Sequence, residues 1–149
     1  MAKWNPAKQS PTLWYYFRGK WRGTDLTISP GDGLYVASTS SFSWVIAGTD
    51  SRPTLSFTYN TPPKKNVNLI SMPYTGTYYR ASDIANELTS SKVVEIGLWN
   101  PATQTTTKYT WTGSSWTGTD FTFNSGDGIY ITIVSSFNWQ PKLITPEVP

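Results

Sequence analysis

The chain has 149 residues, of which 14% are charged, a net charge of +3 and a pI near 9.1. It holds no cysteine and no histidine, which excludes disulfides, thiol chemistry and an ordinary zinc site and removes the commonest acid/base side chain. Aromatics are 15%, with 8 Trp and 9 Tyr, and Ser and Thr dominate the polar residues, so strands and turns around a core of rings are expected.

Residues 4–44 recur without a gap as residues 99–139, an offset of 95, and about nineteen of the forty-one aligned positions are identical. Self-similarity at a fixed spacing says which residues an architecture reuses. Trp4-Asn5-Pro6-Ala7 matches Trp99-Asn100-Pro101-Ala102, and Gly23-Thr24-Asp25 matches Gly118-Thr119-Asp120. Gly31-Asp32-Gly33 matches Gly126-Asp127-Gly128. Residues 1–3 align with Ile96-Gly97-Leu98 at the end of an apolar run, so the first copy is expected to start within a strand and the chain to be a fragment of a longer tandem protein.

In chain order, Trp14-Tyr15-Tyr16-Phe17 predicts a short aromatic strand, turned by Arg18-Gly19-Lys20. Leu26 and Ile28 alternate with Thr27 and Ser29, the period of a half-buried strand. With the turn at Pro30-Gly31-Asp32-Gly33, residues 25–37 predict a β-hairpin, and Trp44 a closing strand. Residues 51–66 read as a linker with one strand-like run, Leu55-Ser56-Phe57-Thr58-Tyr59, a candidate to fill the unpaired edge of the first copy. Val67 opens a buried strand ended by Pro73. The helix candidate follows: Ser82 as N-cap, Asp83 in the first turn, Ile84 and Leu88 as an i,i+4 apolar pair. Asn100-Pro101-Ala102-Thr103 turns one strand back into the next. Phe121 and Phe123 then alternate with Thr122 and Asn124, and Ile129, Ile131 and Ile133 line one face of a final long strand. Residues 140–149 read as an extended tail.

These elements predict a mainly β fold: antiparallel hairpins in a sandwich or barrel-like arrangement with one short helix, built from an internal repeat with offset 95. Residues 1–50 are the partial first repeat and 67–139 the complete second. No apolar run reaches the roughly 18 residues of a membrane span.

The run Asn68-Leu69-Ile70-Ser71-Met72-Pro73, then Gly97-Leu98-Trp99-Asn100-Pro101-Ala102, then Gly126-Asp127-Gly128-Ile129-Tyr130 resembles β-rich accessory repeats of large secreted or cell-surface proteins of bacteria and archaea. Their pattern is Asn-Leu-Ile-Ser-x-Pro, a Trp-rich hairpin and Phe-x-x-x-Gly-x-Gly-Tyr. The resemblance covers roughly half the chain and implies an extracellular or cell-surface location. It carries no catalytic residue.

The repeated acids Asp25 with Asp120 and Asp32 with Asp127 suit turns and strand starts better than a catalytic pair or a calcium loop. No cofactor and no metal is expected. Ligand candidates are rings: Trp14, Tyr16, Tyr109 and Trp111, whose positions keep a ring in both copies, and Tyr74, Tyr78 and Tyr79 in a Thr- and Gly-rich loop. Arg18, Lys20 and Arg22 interleave with rings in the first copy alone, because their counterparts are Gly113, Ser115 and Thr117. Three functions are therefore weighed. The first is a non-catalytic extracellular structural or adhesive module whose partner is a polysaccharide, another surface protein or a second copy at the unpaired edge. The second is carbohydrate binding through exposed rings. The third is single-stranded nucleic acid held by the basic aromatic hairpin.

Overall fold

An Asn-Pro-Ala turn, present in both copies, starts the same construction in each half of the chain. The computed structural model describes residues 1–43, 53–62, 66–72, 79–124 and 126–141. The strands of the first half are β1 (Ala2–Asn5), β2 (Ser10–Phe17), β3 (Lys20–Gly23) and β4 (Leu34–Tyr35), and β5 (Leu55–Phe57) follows them. Next come β6 (Val67–Ser71), β7 (Tyr79–Arg80), the helix α1 (Ala81–Leu88), β8 (Val93–Asn100) and β9 (Thr105–Trp111). The last are β10 (Trp116–Gly118), β11 (Thr122–Phe123), β12 (Gly128–Ile133) and β13 (Phe137–Trp139). The fold is mainly β and antiparallel, with one short helix.

Local chemistry fixes the turns. Asn5 Oδ1 accepts the Lys8 N–H at 3.0 Å, and Asn100 Oδ1 accepts the Ala102 and Thr103 N–H groups, the Asx turn these side chains favour. Gln9 and Gln104 both take a positive φ, 52° and 53°, and each gives its side-chain N–H to the proline carbonyl three residues back at 2.6 Å. The strands that follow keep register at the same offset. Trp4 faces Pro11 and Trp99 faces Thr106, Tyr16 faces Trp21 and Trp111 faces Trp116, and Ala2 faces Tyr35 as Gly97 faces Tyr130.

A four-stranded sheet, β3-β2-β1-β4, results in the first half and a five-stranded sheet, β10-β9-β8-β12-β6, in the second. The core lies on one face of the larger sheet. Ile70, Ile96, Ile129, Ile131 and Ile133 point from it into a second layer made of α1, the β11-β7 pair and the β13-β5 pair. That layer contributes Ala81, Ile84, Ala85, Leu88, Phe121, Phe123, Phe57 and Trp139, giving a sandwich-like two-layer body. No buried side-chain polar atom among the described residues lacks a hydrogen-bond partner. Buried Asn66 exchanges hydrogen bonds with the Asn60 backbone, accepting its N–H and donating to its carbonyl, and so ties the linker to the start of β6.

β6 is bonded on both edges. Five residue pairs join it to β12. Its other edge receives the first half: Asp32 bridges to Ile70, and the Ser71 N–H reaches the Gly31 carbonyl at 3.0 Å. Val67 donates its N–H to Gln9 Oε1 at 2.9 Å and accepts from Gln9 Nε2 and Trp4 Nε1. Gly33 sits so close that a Cβ there would lie 2.5 Å from Leu69 Cγ and 2.9 Å from the Leu69 carbonyl carbon.

Three expectations are corrected. The run from Leu55 does not fill the first half's edge; β5 pairs with β13, and β6 meets that edge. Residues 25–37 form no hairpin. In the second half β11 takes its partner from β7 rather than β12, and residues 24–29 of the first half form no ladder with a described strand. Ser82 is not the N-cap: the helix starts at Ala81, and Asp120 supplies the acceptor that a capping side chain would have given. Matching tryptophans do not all pack alike, because Trp21 is 54% exposed whereas Trp116 packs against the core. Trp44 and the tail from residue 142 lie outside the described residues.

Candidate functional site

The β2–β3 hairpin carries rings on both faces. Its turn is two residues long, Arg18 and Gly19, with φ 49° and 78°, and two positive φ values give the twist that suits a tight hairpin. That turn places Trp21 opposite Tyr16 and diagonal to Trp14. The Trp14 and Trp21 rings stack at 4.1 Å with 14° between planes, and Tyr16 meets Trp21 edge-on at 5.4 Å. Tyr16 is 61% exposed. Trp21 was not among the candidates, although the turn length alone pairs it with Tyr16.

The opposite face pairs Tyr15 with Arg22 and Phe17 with Lys20. The Arg18 and Arg22 guanidiniums lie 5.1 and 5.9 Å from the Phe17 ring centre, within cation–π range. Leu13, Tyr15 and Phe17 on this face are exposed. The three basic candidates thus gather around one phenylalanine, on the side away from the tryptophan stack.

In the second half the same positions do different work. Tyr109 stacks on Trp116 at 5.3 Å, and both pack against the core. Trp111 is half-buried, tilted against Trp116 at 5.8 Å, and lines an open groove of about 540 Å³ with Tyr59, Glu95, Lys108 and Thr110. Lys108 forms a 3.1 Å ion pair with Glu95 there. Tyr79 contributes its backbone to β7, and Tyr74 and Tyr78 lie outside the described residues. Tyr35 meets Tyr130 at 6.1 Å between the halves, and burial pushes its phenol above the usual value.

The repeated acids have identifiable partners, with one exception. Asp32 and Asp127 each accept the backbone N–H three residues back, from Ser29 and Asn124, at 2.7 Å. Asp32 also holds Lys3 at 2.6 Å. Asp120 anchors α1: Oδ1 accepts the Ser82 N–H, and Oδ2 accepts the Ser82 hydroxyl and Arg80 Nε, all at 2.9 Å. Desolvation pushes this carboxyl up, but the Ser82 and Arg80 hydrogen bonds and the Arg80 charge outweigh it and hold Asp120 below the usual carboxylate range. Asp25, its counterpart, is exposed, with no hydrogen-bond or ion-pair partner among the described residues. Among the described residues no group of three or more acidic side chains is placed to hold a metal ion, and no helix is long and apolar enough to cross a membrane. No family model, no curated protein and no solved structure matches this chain.

Proposed function

We propose that the chain is a non-catalytic structural or adhesive module of an extracellular or cell-surface protein. The observation that carries this reading is the first-half hairpin, where Leu13, Tyr15, Tyr16, Phe17 and Trp21 all stand exposed on twelve residues of strand. Contiguous exposed rings on a rigid scaffold mark a contact surface. Turns account for Asn5, Asn100, Asp32 and Asp127 and the helix start for Asp120, and the exposed rings are the groups this reading assigns to a partner. An antibody raised against the chain, applied to the intact cells that make it, tests the location. Labelling is expected without permeabilisation, and labelling only after permeabilisation would refute the reading.

A second reading, carbohydrate binding, draws on the tryptophan stack. Trp14, Trp21 and Tyr16 offer adjoining ring surfaces on a platform that is half open to solvent. Pull-down on insoluble polysaccharides and a glycan array, each run beside Trp21→Ala, check it. Retention lost in the variant is expected; equal retention, or none by either protein, removes it.

A further inference from the structure

The first half exposes apolar residues whose counterparts in the second half are covered. Ile28, Val36 and Phe42 are 50%, 44% and 58% exposed, whereas Phe123 and Ile131, at the positions of Ile28 and Val36, are 2% and 0% exposed. The second half carries a covering layer of α1, the β11-β7 pair and the β13-β5 pair, of which β7 and α1 have no counterpart among residues 1–43. In the second half β7 pairs with β11, and α1 follows it, setting Ala81, Ile84, Ala85 and Leu88 into the core cluster. Two further observations mark the same place in the first half. Residues 24–29, the counterpart of β11 and its approach, run without a partner strand among the described residues. Asp25, the counterpart of the aspartate that binds the start of α1, stands without a partner among the described residues. Just ahead of β4, Asp32 bridges to Ile70 of β6.

We infer that the first-half face formed by Leu26, Ile28, Val36 and Phe42, with Asp25 at its rim, is a docking site for a strand–helix segment of the β7–α1 type. The partner is a short extended segment leading into a two-turn amphipathic helix. It presents small, Ile, small, Leu at the spacing of Ala81, Ile84, Ala85 and Leu88. Backbone N–H groups and a hydroxyl or guanidinium at the helix start bond to Asp25, as Ser82 and Arg80 bond to Asp120. The extended segment pairs with residues 26–28 as β7 pairs with Thr122 and Phe123. Such a helix is too short to be stable alone and folds on the surface that receives it.

The test fuses a second copy of residues 79–95 directly ahead of Met1 of the full chain, which keeps the offset of 95 unbroken. The fusion is expected to raise the thermal midpoint by about 5 °C or more and to slow amide exchange at Thr27 and Ile28 by about tenfold. The gains are expected to vanish when the isoleucine of the added copy that corresponds to Ile84 is replaced by Asp, and to shrink on Asp25→Asn. A synthetic peptide of residues 79–95 added to the unfused chain gives a second readout, with NMR shift changes expected at the Ile28 and Val36 methyls. No gain from fusion and no shifts with peptide would overturn the inference, as would gains that survive the Ile-to-Asp control. So would sedimentation showing a dimer of the unfused chain that Ile28→Asp dissolves, because the face would then belong to a second copy.

Discussion

Replacing Gly33 by alanine should destabilise the protein, while the same change at Gly128, its counterpart 95 residues on, should not. At Gly33 the added methyl would fall 2.5 Å from Leu69 Cγ, 2.9 Å from the Leu69 carbonyl carbon and 3.0 Å from that of Ile70. The side-chain contact alone could be relieved by a rotamer change. The two backbone contacts cannot, because β6 is held in place by five pairs to β12 on its far edge. At Gly128 the nearest atom is Leu69 Cδ1 at 3.6 Å, an ordinary van der Waals distance. Overpacking of a fixed interface costs about 1–3 kcal/mol, and a compatible Gly→Ala change in a strand lies within about 0.5 kcal/mol of neutral or slightly stabilises. For a chain of this size each kcal/mol moves the midpoint by about 2–4 °C, so Gly33→Ala should lower it by roughly 2–12 °C in a thermal melt followed by near-ultraviolet circular dichroism. Equal midpoints for the two variants would show that the first half does not rest against β6, and the shared-strand arrangement would fail with it.

Three further outcomes follow from named contacts. Asp120→Asn should cost about 1–2 kcal/mol in urea unfolding, the range for losing a helix-capping acceptor, and the Asp25→Asn change should cost almost nothing in this chain. Because the folded-state carboxyl of Asp120 is held below the usual value, its contribution is present in full above the unfolded pKa of about 3.9 and fades as pH falls through the lowered folded value. The gap between wild type and Asp120→Asn should therefore be flat from pH 7 to 5 and close only in stronger acid; a gap that closes near neutrality would contradict this. Gln9→Ala should cost about 1–2 kcal/mol by leaving the Val67 N–H unpaired, against little for Gln104→Ala, since both side chains satisfy the same turn and Gln9 alone bonds to Val67 as well; matched losses would argue that only the turn matters. Trp116→Ala should cost about 3 kcal/mol and Trp21→Ala less than about 1 kcal/mol, read by the same urea assay, and a reversal of that order would mean that the two hairpins exchange their burial.

The turns were the most legible part of the sequence. Asn5, Asn100, Asp32 and Asp127 make bonds to residues two or three positions away, and chemistry of that range is written locally. The face of each strand was legible too, since Ile129, Ile131 and Ile133 alternate inward as their spacing requires. What alternation cannot state is which strand lies alongside. It set Phe121 and Phe123 correctly toward the core, yet β11 takes its partner from β7, some forty residues away in sequence, rather than from the strand that follows the turn. The helix start was hidden for a related reason: Ser82 has the chemistry of an N-cap, but an aspartate from a distant loop claims its N–H. The hairpin rings divide in the same way. Trp21 and Trp116 share a letter and a register, and only the layer packed beneath them decides which ring is half in water.

β6 carries a mechanical consequence. A strand gripped along both edges cannot peel away while either neighbour stays in place, so the halves of the molecule lose their order together.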